Sequence, residues 1–469
     1  MEKFKSLFGA QDMTVGKPDS VILKFAIPLL IGNVAQQLYS TVDAIIVGNY
    51  VGDNALASVG AANPIINLLL CLFMGISTGA GIIVAQYFGA KKRERLSMSI
   101  GNILTTTLIS SIFITIIGLI ITLPLLRLLD TPDEILMSTA HYLWIYLGGF
   151  IGLAYYNMIS GILRGMGDSV MPLVYLVITC ILNIILDIVC VGFLNFGVAG
   201  AALATVISQC ISAVLCFIRL NQMHNVFDFK LKYFKLDKSL VKDIIRIGTP
   251  AGLTQAIFAC ASLVVQSLTN SFGTTVIATS TVIMRVDGFA MLPNFTFATA
   301  MTTYVGQNVG AGNLQRVKES TRHGIKLSLM FCVPMVLILM IFGGNLMDIF
   351  TDTPEVVEFG MQMLRMMSAG YIGVAITQVL LGVMRGAGDT LTPMITSVTT
   401  TVIIRMPVAY LLAFLTKTAE NPNGNPASIF YSLMISWVLG AVITTIAYKK
   451  GGWKKKNPIF KEELLNSGK

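Results

Sequence analysis

Twelve apolar stretches of about 20 residues or more run through this chain, near 21–50, 56–86, 97–124, 135–162, 171–192, 198–218, 244–271, 276–305, 325–347, 360–384, 391–415 and 427–448. Twenty residues coiled as a helix reach about 30 Å, the thickness of a bilayer's hydrocarbon core. A soluble fold has no place to bury so many: hydrophobic residues make up 54% of the 469 and charged ones only 12%. In lipid every backbone polar group must be satisfied internally, which leaves helices or closed barrels. These runs are long, carry Gly and Pro, and lack the in-out alternation of barrel strands, so they predict helices. The expected fold is an all-α integral membrane protein with twelve transmembrane helices, here numbered spans 1 to 12 in chain order.

The unit is also written twice. Arg164-Gly165-Met166-Gly167-Asp168-Ser169 returns as Arg385-Gly386-Ala387-Gly388-Asp389-Thr390, and the register extends to Thr131-Pro132 with Thr353-Pro354, Gln86 with Gln307, and Pro28 with Pro250. Six spans per copy is an even number, so both copies enter the membrane in the same sense. That predicts two pseudo-symmetric six-helix bundles related by an axis along the membrane normal, a plan in which the bundles rock about a central site. The expected segments are a polar amino-terminal stretch at 1–20, a first lobe at 21–218, a linker at 219–243, a second lobe at 244–448 and a tail at 449–469.

Basic residues fall on alternate connections: Lys91, Lys92, Arg93 and Arg95; Lys230, Lys232, Lys235, Lys238 and Lys242; Arg316, Lys318 and Arg322; Lys449, Lys450 and Lys454 to Lys456. The opposite connections carry Asp130, Asp133, Glu134, Asp352, Glu355 and Glu358. Short basic loops stay on the cytoplasmic side, so both termini and the linker are expected there, in a multi-pass protein of the cell membrane. Topology and anionic headgroups account for the net charge of +9 without a nucleic-acid partner. No cleavable signal peptide is apparent. The seven cysteines, Cys71, Cys180, Cys190, Cys210, Cys216, Cys260 and Cys332, lie in apolar runs without a Cys-x-x-Cys pair, and are expected to pack rather than to form disulfides or bind metal.

The chain lacks the motifs of several function classes. It has no Gly-x-x-x-x-Gly-Lys-Ser/Thr phosphate loop to use ATP, no His-Glu-x-x-His metal spacing among His141, His224 and His323, and no Gly-x-Ser-x-Gly nucleophile turn. An enzyme is not expected, nor a cofactor.

Polar residues within the spans carry the remaining signal. Asn33, Gln37 and Ser40 line one face of span 1 with Asp43, and Gln255, Ser262, Gln266 and Thr269 occur at helical spacing in span 7. They are candidate cavity residues, and the interhelical hydrogen bonding that such side chains also supply is the competing role. An aspartate at bilayer depth costs about 2.5–3.5 kcal/mol even on forgiving insertion scales. Only Asp43, Asp187 and Asp287 fall inside the spans. Counting ~1.5 Å per residue, Asp43, Asn183, Asp187 and Thr205 reach comparable depth in the outward half of the first lobe. Oxygen donors of this kind suit sodium, and crowded, desolvated carboxylates suit protons. The second lobe differs. Val265 and Val408 replace Asp43 and Asp187, while Arg285, Asp287 and Arg405 are expected to form a paired charge network. Met284 and Met291 are candidates for an adaptable substrate surface, against ordinary packing.

Val42-Asp43 with Val47-Gly48, Asn183-x-x-x-Asp187, Val305-Gly306-Gln307-Asn308-x-Gly310-Ala311-Gly312 and the paired Arg-Gly-x-Gly-Asp segments together resemble the multidrug and toxic compound extrusion (MATE) family. The resemblance runs from about residue 20 to 450, and the span 5 pattern is similar to the DinF-like and MepA-like branch. It implies V-shaped paired lobes and antiport of amphipathic, mostly cationic compounds against sodium or protons. By matching positions it implies that Asp43, Asn183, Asp187 and Thr205 hold the coupling ion, with no metal beyond sodium, and that Pro28 marks a helix bend. Spans 7 and 10 contain no acidic residue, unlike the NorM-like branch. Small amphipathic molecules and the bilayer are the expected partners, and a monomer the expected state. A dedicated exporter of one metabolite, or a flippase for a lipid-linked precursor, would share the plan.

Overall fold

The computed structural model describes residues 9–455 except 52, 349, 350, 352 and 420, and describes no side chains at 38–51, 53–57, 72 and 455. Its helices are α1 (Pro18–Val51), α2 (Asp53–Gly89), α3 (Arg93–Leu128), α4 (Asp133–Gly148), α5 (Phe150–Gly165), α6 (Val170–Asp187) and α7 (Gly197–Asn221) in the first half. The second half has α8 (Lys238–Ser271), α9 (Thr274–Gly310), α10 (Leu314–Asp348), α11 (Pro354–Gly386), α12 (Leu391–Val398), α13 (Met406–Leu415), α14 (Ala427–Lys450) and the short α15 (Gly452–Lys455). Among the described residues, eleven helical stretches are long and apolar enough to cross a membrane, and the bent pair α4–α5 makes up to twelve. The all-helical membrane architecture expected from the apolar runs is what the chain adopts.

The repeat is visible in the elements: α2 and α9 are each 37 residues long and the α4–α5 pair, Asp133–Gly165, matches α11, Pro354–Gly386. The copies part in two places. The first is a 49° bend between α4 and α5, where the sequence reads Gly148-Gly149 against Ala369-Gly370 in the unbroken α11. Gly149 is held there by α7, since a Cβ on it would lie 2.1 Å from Val206 Cγ1. The second is a π-helical stretch. It follows α6 at Ile188–Phe193 in the first half, but precedes α13 at Thr399–Arg405 in the second.

The Arg-Gly-x-Gly-Asp segments are turns built twice. Gly167 and Gly388 have φ of +87° and +92°, the left-handed region that glycine enters without penalty. The aspartates then cap the next helix: Asp168 Oδ1 accepts from Met171 N–H at 3.1 Å, and Asp389 Oδ1 from Thr392 N–H at 3.1 Å. Asp168 also takes a forked pair of bonds from Arg219 of α7, at 2.9 Å from Nε and 2.8 Å from Nη2, which ties the end of α7 to the start of α6. The turn motif thus serves the fold.

The chain divides into two compact units, Met1–Asp12 with Ile27–Gly252, and Met13–Ala26 with Leu253–Lys469. The division departs from the expected boundaries because α1 and α8 each begin in one unit and continue in the other. In the second unit, Met13 is fully buried; its N–H donates to Gln307 Oε1 at 2.8 Å and its carbonyl accepts from Asn308 Nδ2 at 3.2 Å. Asp19 pairs with His323 at 2.7 Å in the same unit. In the first unit the start of α8 crosses α2 with backbones touching. A Cβ on Gly75 would sit 2.3 Å from Gly252 Cα, and one on Gly79 would sit 2.7 Å from Gly248 Cα. Two small-x-x-x-small faces interlock, the arrangement that lets helices approach closely where lipid supplies no hydrophobic drive. Pro28 and Pro250 lie within three residues of the points where α1 and α8 pass between units, and α1 stays helical through Pro28.

Substitutions at this crossing should be costly. Gly79→Ala and Gly248→Ala each force backbone apart and should cost about 1–3 kcal/mol, read as a lower thermal midpoint of the detergent-purified protein. Gly344→Ala, whose added methyl meets nothing within 4 Å, should leave the midpoint unchanged or raise it; equal losses in all three would discount the crossing.

Candidate functional site

The buried face of α6 is polar. Four of its residues are buried, and three of them, Thr179, Asn183 and Asp187, recur at one-turn intervals; the fourth is Pro172. Asn183 is 1% exposed and Asp187 0%. The outward residues Ile178, Ile181 and Ile185 are about half exposed, so the helix shows lipid an aliphatic surface and keeps its polar stripe inside. Such a pattern is the reverse of a soluble amphipathic helix, and suits a span whose polar groups face a partner helix.

That partner is α7, which packs along α6 and along the π-helical stretch after it. Its inward side carries Thr205, Ser208 and Ser212, the last two buried. Ser212 Oγ donates to Thr179 Oγ1 at 2.7 Å, and the Thr179 hydroxyl donates to Tyr175 O at 2.8 Å. Half-buried Thr205 donates to Ala201 O at 3.0 Å, which leaves its oxygen lone pairs free to accept. Asp187 is the last residue of α6, and the backbone widens into the π-helical stretch immediately beyond it. Local π-helix is frequent at functional positions because it re-aims a side chain within a continuous span.

Span 1 contributes less that can be described. Asp43 and Ser40 lie outside the residues with described side chains, although the α1 backbone runs through both. Asn33 and Gln37 are half-buried on α1. Gly32 abuts α6, where a Cβ added to it would meet Leu173 Cδ1 at 3.0 Å.

The remaining candidates lie in the second unit. Gln255 and Ser262 are exposed on α8, Ser262 bonding back to Ala259 O at 2.7 Å, and Gln266 donates to Asn270 Oδ1 at 2.9 Å. Met284 is exposed, whereas Met291 is buried in the apolar core of the second unit. Asp287 of α9 faces the Tyr371 hydroxyl of α11 and feels the Arg405 guanidinium. No Asp287–Arg405 contact within 4.0 Å occurs among the described residues; Arg285 is exposed. At the repeat positions of Asn183 and Asp187 stand Ile404 and Val408, and Val265, in the place of Asp43, is buried in that core. The buried amide and carboxylate of the seam therefore have no counterpart at the repeat positions of the second unit. Thr179, Ser208 and Ser212 join the site only through the packing of α6 on α7, though Thr179 shares the four-residue spacing of Asn183 and Asp187. Among the described residues no group of three or more His, Cys, Asp or Glu could hold a metal ion.

The MatE family model matches residues 28–189 and again 250–411, one match per copy of the repeat. The probable multidrug resistance protein YoeA of Bacillus subtilis is 28% identical over 441 residues, covering 92% of this chain and 93% of that protein. The probable multidrug resistance protein NorM of Thermotoga maritima is 26% identical over 459 residues, covering 95% of this chain and 96% of its own length. Among solved structures, an outward-facing multidrug resistance MATE family transporter of the MOP superfamily superposes with a TM-score of 0.87 at 25% identity, covering 96% of this chain and 99% of that one.

Proposed function

The chain belongs to the MatE family, and from that premise we propose that it exports amphipathic, mostly cationic compounds across the cell membrane in exchange for sodium ions or protons. The observation that carries the exchange is the α6–α7 seam: a fully buried carboxylate one turn from a buried amide, flanked by hydroxyls, inside a membrane span. A carboxylate kept at that depth favours a bound cation, since a small positive ion or a proton removes the cost of burying the charge. Asp187, Asn183 and Thr205 are the ligands in this reading, joined by Asp43 of α1. Counted from the Gly32–Leu173 contact at ~1.5 Å per residue, Asp43 lies ~16 Å along α1 and Asn183 ~15 Å along α6, a similar rise that supports the fourth ligand.

The relatives from Bacillus subtilis and Thermotoga maritima are named as probable multidrug resistance proteins, which supports the substrate class, and the Asn183-x-x-x-Asp187 pattern supports the DinF-like and MepA-like branch. Coupling requires only that the ion and the substrate prefer different conformational states. Both termini on the cytoplasmic side, and a monomer, complete the proposal.

The test uses purified protein in liposomes loaded with a fluorescent lipophilic cation. Release should accelerate when a sodium or a proton gradient is imposed, and the gradient that works identifies the ion. Release indifferent to both gradients would overturn antiport.

A further inference from the structure

A second feature of the first unit has no part in ion exchange. The start of α8 and the residue just before the Asp237 cap flank an open surface groove of about 480 Å³ lined by Leu236, Lys238, Val241, Lys242, Ile245 and Arg246. Lys238, Lys242 and Arg246 follow one another at single-turn spacing, so three cations stand on one helix face. None of them has an ion-pair partner within 4.0 Å among the described residues. Of the nearby carboxylates, Asp237 accepts the N–H groups of Ser239 and Leu240 at 2.8 and 3.3 Å, and Asp243 makes no ion pair within 4.0 Å among the described residues. The floor is aliphatic, with Leu236 45% and Ile245 49% exposed.

Position decides what such a groove meets. At ~1.5 Å per residue the 34 residues of α8 extend about 50 Å, against about 30 Å of hydrocarbon. The polar turns before the apolar run at 244–271 therefore stand at headgroup depth. We infer that this groove binds an acidic phospholipid of the adjacent leaflet, its first acyl carbons lying along Val241, Ile245 and Leu236 and its phosphate held at the edge by the exposed Lys242, Arg246 and Lys238. A guanidinium and two ammonium groups match a phosphodiester's charge and oxygens, and the aliphatic floor favours a lipid over free phosphate. The cavity between α10 and α11 offers no such choice of sign, since Asp348 and Glu358 line it together with Arg365.

The experiment is native mass spectrometry of the full-length protein in detergent, titrated with phosphatidylglycerol or phosphatidylcholine. The wild type should retain phosphatidylglycerol at least about tenfold more tightly, as three juxtamembrane cations imply. The Lys238→Gln/Lys242→Gln/Arg246→Gln variant should bind the two lipids alike, and Lys318→Gln/Arg322→Gln, exposed on α10 of the second unit, should keep the preference. Should the triple variant fail to fold, Lys242→Gln alone, with an unchanged thermal midpoint, must still narrow the preference. A preference that survives the groove substitutions, is lost equally in the α10 pair, or is displaced by millimolar inorganic phosphate overturns the lipid site.

Discussion

Asp187→Asn is expected to abolish the acceleration of export by a sodium or proton gradient, cutting gradient-driven flux at least about tenfold, within the roughly 5–150-fold span of ordinary coupling energies. Asn has the same shape and keeps one carbonyl acceptor, but no longer supplies the charge that a cation would neutralise. The carboxylate is fully buried, so a neutral Asn of the same shape carries a smaller desolvation cost, and the melting temperature of the variant reports whether its fold is kept. A loss of flux with an unchanged or higher melting temperature therefore assigns the effect to ion binding. Asp43→Asn should behave alike. Thr205→Ala removes one neutral oxygen and should weaken the apparent ion affinity severalfold without ending exchange. Asp287→Asn, in the unit that carries Val408 and Val265 at the equivalent positions, should leave gradient dependence intact. If Asp187→Asn couples like the wild type, or only Asp287→Asn uncouples, the proposed site is in the wrong place.

Much of the architecture is legible from the residues because bilayer physics acts locally. Twenty apolar residues in a row need no tertiary contact to declare a span, and each of the twelve apolar runs coincides with a helix or a bent or widened helix pair. A six-residue echo suffices to announce the repeat. The proposed site is partly legible for the same reason: an aspartate inside an apolar run is costly wherever the helix turns, so Asp187 stands out before its neighbours are known. Serines and threonines carry no such cost, because they can bond to their own helix, as Thr205 does to Ala201 O. Ser208 and Ser212 gain meaning only once α7 is laid against α6. The bend at Gly149 and the exchange of helix starts between units depend on what touches what across the fold. Gly149 is fixed by Val206, and the start of α8 by Gly75 and Gly79, distant in sequence and without a pattern linking them. The Arg-Gly-x-Gly-Asp segments show the opposite lesson: conspicuous as a repeat mark, they act as turns.

Those turns support the largest expected effect on stability. Asp168→Ala should cost about 3–5 kcal/mol and lower the melting temperature by on the order of 10 °C. The Asp168 side chain is fully buried and Arg219 only 15% exposed, so each charge relies on the other rather than on water. Removing the carboxylate takes from the Arg219 guanidinium its forked, charged acceptor and also uncaps α6 at Met171. Asp168→Asn keeps the cap but loses the charge pair, and should fall between. Arg219→Ala strands the carboxylate instead, and should match Asp168→Ala. Combining the two should cost far less than the sum, because no buried charge is left unpaired. This non-additivity separates an ion pair from general packing loss. Because α6 carries Asn183 and Asp187 beyond this turn, the single variants should also weaken apparent ion affinity in liposomes, through displacement of the helix rather than loss of a ligand. Additive losses in the double variant, or a melting temperature within about 1 °C of wild type for Asp168→Ala, would show that the pair does not anchor the helix that bears the site.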